Sequence, residues 1–138
     1  MRKKKLILIA EDDADDRLMI KEAFLENNMP AGIVFFENGA ELLDYLYSLD
    51  DGSERTLPDL ILLDLNMPKM DGKTVLSKLK VHNLYSEIPI VILTTSRSKE
   101  EEENVLGMGA SGFYTKPSSF TELVNITASI SSRWIQSN

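Results

Sequence analysis

The stretch LILLDLNMP, residues 60–68, decides the fold. Leu60, Ile61, Leu62 and Leu63 are apolar without alternation, the pattern of a strand covered on both faces. Asp64 follows at once, and Pro68 closes the stretch. A carboxylate is costly to bury unless something neutralises it. Its place at the end of a buried strand puts it at a sheet rim, where chemistry gathers.

Four further apolar runs resemble this one. Leu6–Ala10, Ile33–Phe36, Ile90–Thr94 and Gly112–Thr115 read as strands. Between them lie stretches of helical period. Residues 13–28 carry Met19, Ile20, Ala23 and Phe24 on one stripe. Asn38 with Glu41, Asp71, Ser98 with Glu101, and Ser119 with Glu122 are N-terminal caps of four more helices. The third helix carries Val75, Leu76 and Leu79, and the last carries Leu123, Ile126, Ile130 and Trp134. Residues 50–58 are polar and read as a surface loop. Five β-α units in succession predict an α/β fold, a doubly wound parallel sheet with helices on both faces.

The chain has 138 residues, read as one domain spanning 1–138 with a basic tail at 1–4. Its composition is 43% hydrophobic, enough for a core. Absence of cysteine excludes disulfides and thiolate metal sites. No apolar run approaches the ~20 residues of a membrane span, and the short run after MRKKK lacks the features of a signal peptide. The expectation is a cytoplasmic protein. Net charge is −7, and the only basic run is Arg2–Lys5, which argues against nucleic acid as a partner.

In parallel α/β sheets, ligands bind beyond the carboxyl ends of the strands. The first strand runs into Glu11, Asp12 and Asp13. If the first and third strands are neighbours, Glu11, Asp12 and Asp64 converge. Two like charges 4 Å apart cost on the order of 4 kcal/mol at an effective dielectric of 20, so three carboxylates call for a proton or a cation. Oxygen ligands without His or Cys suit Mg2+. The fourth strand ends in Thr94, Thr95 and Ser96, and the fifth in Lys116 and Pro117. Acids, hydroxyls and a lysine at one rim describe a site for phosphoryl chemistry. Asp13, Asp15 and Asp16 read instead as the cap and first turn of a helix.

With the motifs LIAEDD, LILLDLNMPKMDG, IPIVILTTS and GASGFYTKP in order, the chain resembles the receiver domains of two-component response regulators from Lys5 to about Trp134. The resemblance implies a flavodoxin-like (βα)5 fold with strand order 2-1-3-4-5, the order of the family's chemotaxis member. It implies that Asp64 accepts a phosphoryl group from a sensor or hybrid histidine kinase. Asp12 would bind Mg2+ directly, Glu11 through water, and Asn66 through its backbone carbonyl, with Asp64 completing the set. Lys116 and Thr94 would contact the phosphoryl oxygens. Thr94 and Phe113 would form the switch, and the side chains of Asn66 and Ser96 would tune dephosphorylation. The Lys116–Pro117 bond is expected to be cis.

Such a protein catalyses only its own phosphorylation and dephosphorylation, and signals through the face of helix four, strand five and helix five. Phe113 stands where the family often has Tyr, and Tyr114 is expected on the opposite face. Thr95 stands where a small residue is common. EDDADDRLMIKEAF and the terminal tryptophan helix resemble regulators paired with phytochrome-type or hybrid kinases, which points to homodimerisation through strand five and helix five. The downstream target is left open. A flavodoxin would need a glycine- and hydroxyl-rich loop where EDDADD stands. A haloacid-dehalogenase phosphatase would need an aspartate at Asn66. A degenerate receiver would lack residues that this chain retains. His82, the only histidine, is expected away from the strand ends.

Overall fold

The apolar runs form five parallel strands in a computed structural model that describes residues 5–51 and 57–135. They are β1 (Lys5–Ala10), β2 (Ala31–Phe36), β3 (Leu60–Leu63), β4 (Ile90–Thr94) and β5 (Gly112–Thr115). Five helices alternate with them: α1 (Ala14–Glu26), α2 (Gly39–Tyr47), α3 (Gly72–Lys80), α4 (Lys99–Gly107) and α5 (Phe120–Ile130). The sheet order is β2-β1-β3-β4-β5, as the resemblance implied.

Side chains alternate across each strand, so the sheet serves two cores. Leu8, Ala10, Ile61, Leu63, Ile90 and Ile92 face α2, α3 and α4, where Leu42, Leu46, Val75, Leu76, Leu79 and Val105 close the layer. Ile7, Ile9, Leu60, Leu62, Val91 and Leu93 face α1 and α5 through Ile20, Phe24, Leu123 and Ile130. Full burial of each such aliphatic side chain is worth roughly 1.5–3 kcal/mol. The β1, β3 and β4 strands therefore lack polar alternation because both of their faces are covered.

The caps form at the expected residues. Asn38, Asp71, Ser98 and Ser119 each accept from the backbone N–H three residues on. Asp13 caps α1 in the same way, accepting from the Asp16 amide. The acids opposite behave less uniformly. Glu122 accepts from the Ser119 hydroxyl, whereas Glu41 turns to the Glu37 amide and Glu101 pairs with Lys73 of α3.

Several sequence expectations are corrected. Met19 is 40% exposed, because only Ile20, Ala23 and Phe24 of its stripe lie close enough to the sheet. In the expected loop at 50–58, the chain first makes a 3-10 turn, Ser48–Asp51. The rest of that loop, up to residue 56, and the tail at 1–4 lie outside the described residues. A π-helical turn, Ser131–Ile135, continues α5, with Trp134 half-buried and laid over Gly112. No described helix is long and apolar enough to cross a membrane.

Candidate functional site

The ladder between β1 and β3 builds the site. Ala10 is paired with Leu63, and the Asp64 amide donates to the Ala10 carbonyl at 3.2 Å. The residues that follow, Glu11 and Asp12 on one side and Asp64 on the other, thus leave the sheet together. One oxygen from each of these three carboxylates lies within 4.8 Å of the others. Glu11 and Asp64 are buried, at 2% and 6% exposure, and Asp12 is open to solvent.

Lys116, just beyond β5, reaches across the rim. Its ammonium lies 2.6 Å from Glu11 Oε1, 2.8 Å from Asp16 Oδ2 and 3.0 Å from Asp64 Oδ2. Burial disfavours this ammonium, but hydrogen bonds to Asp16 and Glu11 and the charges of Asp64 and Glu11 outweigh that and raise its pKa above the ordinary lysine value. Burial pushes the Glu11 carboxyl up to about 7 from 4.5, against the hydrogen bond from Lys116 and with the help of the Asp64 charge. The Asp13 amide and the Arg17 guanidinium fix Glu11 further, donating to Oε2 at 3.1 Å and to its backbone carbonyl at 2.8 Å.

After Asp64 the chain turns sharply. Lys69 adopts a φ of 68°, and the Met70 amide closes on the Pro68 carbonyl at 2.7 Å. Gly72 then passes against the end of β3, where its amide donates to Leu65 at 3.0 Å. Asn66 is exposed, and its amide points to Asp64 Oδ1 at 3.4 Å.

Thr94 ends β4 fully buried. Its carbonyl accepts from the Lys116 amide at 2.7 Å, and its hydroxyl accepts from the Ser96 amide at 3.5 Å. The Thr115 hydroxyl donates to the Ser96 carbonyl at 2.8 Å, tying the loop after β4 to β5. Phe113 and Tyr114 take opposite faces as expected. Phe113 packs on the α2–α4 side, and Tyr114 on the α1–α5 side with its hydroxyl 3.2 Å from Ser129 Oγ.

Glu11, Asp12, Asp64 and Lys116 thus meet, Thr94, Ser96 and Asn66 border them, and Phe113 sits two residues inside the β5 rim. His82 lies beyond α3, stacked on Tyr85 at 4.2 Å between ring centroids. The expected cis bond at Lys116–Pro117 is not found, since the described residues contain no cis peptide. Trans is the lower-energy isomer for a bond to proline, and with it the Lys116 ammonium already reaches all three carboxylates. Asp16 is the residue that sequence reasoning missed. It has the place of a first-turn helical acid beside Asp15, and no local signal separates the two.

The donors fit a hard divalent cation. With Asp16 held by Lys116 to one side, Glu11, Asp12 and Asp64 offer three carboxylate oxygens within 4.8 Å of one another. All are oxygen ligands without His or Cys, the set that suits Mg2+ better than Zn2+.

The family model of the response regulator receiver domain matches residues 7–128. A probable methanogenesis regulatory protein, FilR2 of Methanothrix harundinacea, is 35% identical over 94% of this chain and 83% of its own. The crystal structure of the phosphorylated cyanobacterial phytochrome response regulator RcpA superposes with a TM-score of 0.87, at 31% identity over 97% of this chain and 96% of that one. Part of the sensor histidine kinase CheAY of Helicobacter pylori is also similar, 31% identical over 88% of this chain and 14% of that protein.

Proposed function

The chain belongs to the response regulator receiver domain family of two-component signal transduction, and from that premise we propose that Asp64 is its phosphorylation site. Residues 1–138 would form one receiver domain, working in the cytoplasm and served by a sensor or hybrid histidine kinase. The observation that carries this reading is the Asp64 carboxylate, buried at the rim, facing Lys116 at 3.0 Å beside Glu11 and Asp12. An isolated strand-end aspartate would not be given a buried lysine and two further acids.

In the reaction, an oxygen of Asp64 attacks phosphorus. The P–N bond of the donor phosphohistidine breaks, its electron pair returning to the imidazole, as a P–O bond forms to give an acyl phosphate. Lys116 offsets charge on the transferring group, and the hydroxyl of Thr94 hydrogen-bonds its oxygens once it turns outward. Mg2+ held by Glu11, Asp12, Asp64 and the Asn66 carbonyl would neutralise the phosphoryl oxygens and the carboxylates together. Beside Lys116, a cleft of about 210 Å3 lined by Asp16, Met19, Ile20, Ser119, Phe120 and Leu123 offers a docking partner a mixed polar and apolar surface.

Phosphorylation adds about two negative charges to the rim. Thr94 follows the phosphoryl group, and its strand neighbours give Phe113 space to move, since Phe113 pairs with Ile92 two residues before Thr94 pairs with Thr115. Without a hydroxyl, the two states of Phe113 differ in packing alone. The surface of α4, β5 and α5 changes as a population shift between states already present. A second copy docking through β5 and α5 is one readout of that change. Asn66 and Ser96, at the mouth of the site, set how fast water removes the phosphoryl group.

Incubation with acetyl phosphate and Mg2+, followed by intact mass measurement, tests the assignment. Wild type gains one phosphoryl group and Asp64→Asn gains none. Equal labelling of the variant would overturn it.

A further inference from the structure

Lys116 has three N–H donors, and three carboxylates occupy them: Glu11 at 2.6 Å, Asp64 at 3.0 Å and Asp16 at 2.8 Å. The resting ammonium is therefore saturated. A phosphoryl group on Asp64 inherits the donor that now lies on Asp64 Oδ2, and it gains a second only if Glu11 or Asp16 yields. Glu11 is a poor candidate, because at 2% exposure its carboxylate has no water to turn to. Asp64 becomes the acyl phosphate itself. Asp16 has a side chain 41% exposed, at the first turn of α1, and can return to solvent at small cost.

We infer that Asp16 is a positioning residue for the phosphotransfer reaction: a resting-state latch that occupies one donor of Lys116 and lets go when Asp64 is modified. This rests on Asp64 being the acceptor. The latch slows the reaction for two reasons of one origin. It stabilises the state in which Lys116 is occupied, and it adds a negative charge where an anionic donor must enter. Asp16 also lines the cleft between α1 and the start of α5 together with Met19, Ile20, Lys116 and Phe120. Release of Asp16 thereby changes the charge at the mouth of that cleft in step with phosphorylation.

The test compares wild type, Asp16→Asn and Asp16→Glu in their rates of labelling by acetyl phosphate with saturating Mg2+. Asp16→Asn is expected to react roughly two- to fivefold faster at low salt, as befits a partly exposed ion pair. That gain should shrink at about 1 M salt, where screening acts over roughly 3 Å. Asp16→Glu should restore a rate close to wild type.

A second readout does not depend on turnover. In protein labelled with 15N and 13C at lysine, the Lys116 side-chain signal should differ between Asp16→Asn and wild type at rest. With beryllofluoride bound, the two should coincide. The inference is overturned if the variant is labelled no faster than wild type, or if its gain persists unchanged at high salt. It is equally overturned if the Lys116 signals agree at rest or still differ with beryllofluoride. Failure of wild type to be labelled overturns Asp64 as acceptor instead, and the resting signals then decide whether Asp16 holds Lys116.

Discussion

A methyl group at Gly72 would lie 2.3 Å from the backbone carbonyl oxygen of Asp64. No side chain can move aside there, because the obstacle is the backbone at the end of β3. The first residue of α3 is thus pressed against the residue proposed as nucleophile, and its lack of a Cβ lets the helix begin there. Gly72→Ala is expected to lose roughly 1–3 kcal/mol of stability, as overpacking does. It should also lower the acetyl phosphate labelling rate by more than Gly107→Ala, a change that meets nothing within 4 Å. Urea titration and intact mass measurement of both variants check this.

Repulsion among the rim carboxylates predicts an effect of Asp64→Asn on stability. Removing one of three clustered charges should raise stability without metal by roughly 1–2 kcal/mol, since Lys116 keeps Glu11 and Asp16 as partners. Mg2+ should raise the melting temperature of wild type, because a ligand that binds only the folded state stabilises it. The variant should gain much less. Thermal melts with EDTA and with millimolar Mg2+ give both comparisons.

The pH dependence follows from Glu11. Its folded pKa, about 7, lies above its ordinary value of 4.5. Between those values the folded state holds a proton that the unfolded chain gives up, so stability without metal falls as pH rises through this window. Glu11→Gln, which cannot ionise, should show a shallower decline than wild type between pH 4.5 and 7. Denaturant titrations in EDTA across this range measure the difference; parallel curves would contradict it.

At the other edge of the sheet, a Cβ on Gly112 would stand 2.9 Å from the Trp134 ring. Gly112→Ala should displace that ring, and with it the end of α5, at a cost of roughly 1–3 kcal/mol. Trp134 is the only tryptophan, so its fluorescence reports the displacement directly. Labelling of Asp64 should stay within about twofold of wild type, because the change lies outside the machinery at the rim.

Assembly through β5 and α5 predicts a larger particle when the phosphoryl analogue is bound. Light scattering with and without beryllofluoride and Mg2+ should show the mass rising toward that of a dimer. A monomer in both conditions would remove that readout from the proposal.

Much of this protein could be read along the chain. Unalternating runs such as Leu60–Leu63 specify strands covered on both faces, because burial on both sides selects apolar residues at every position. Asn38, Asp71, Ser98 and Ser119 mark helix starts, since a cap bonds within three residues of itself. The strand-end residues Glu11, Asp12, Asp64, Thr94 and Lys116 follow from the same local grammar combined with the family's motifs.

Other features were decided by tertiary structure. The helical period alone put Met19 on the buried stripe of α1, but exposure depends on where α5 packs, and Met19 lines the open cleft instead. The Lys116–Pro117 bond, expected to be cis from the resemblance, is not cis. Asp16 was locally a helix-start acid like Asp15. It became a partner of Lys116 because the doubly wound sheet sets α1 and α5 on one face, bringing together two residues 100 positions apart. Local pattern specifies which face a side chain takes on its own element; which charges meet at the rim is settled only when the strands are stacked in their order.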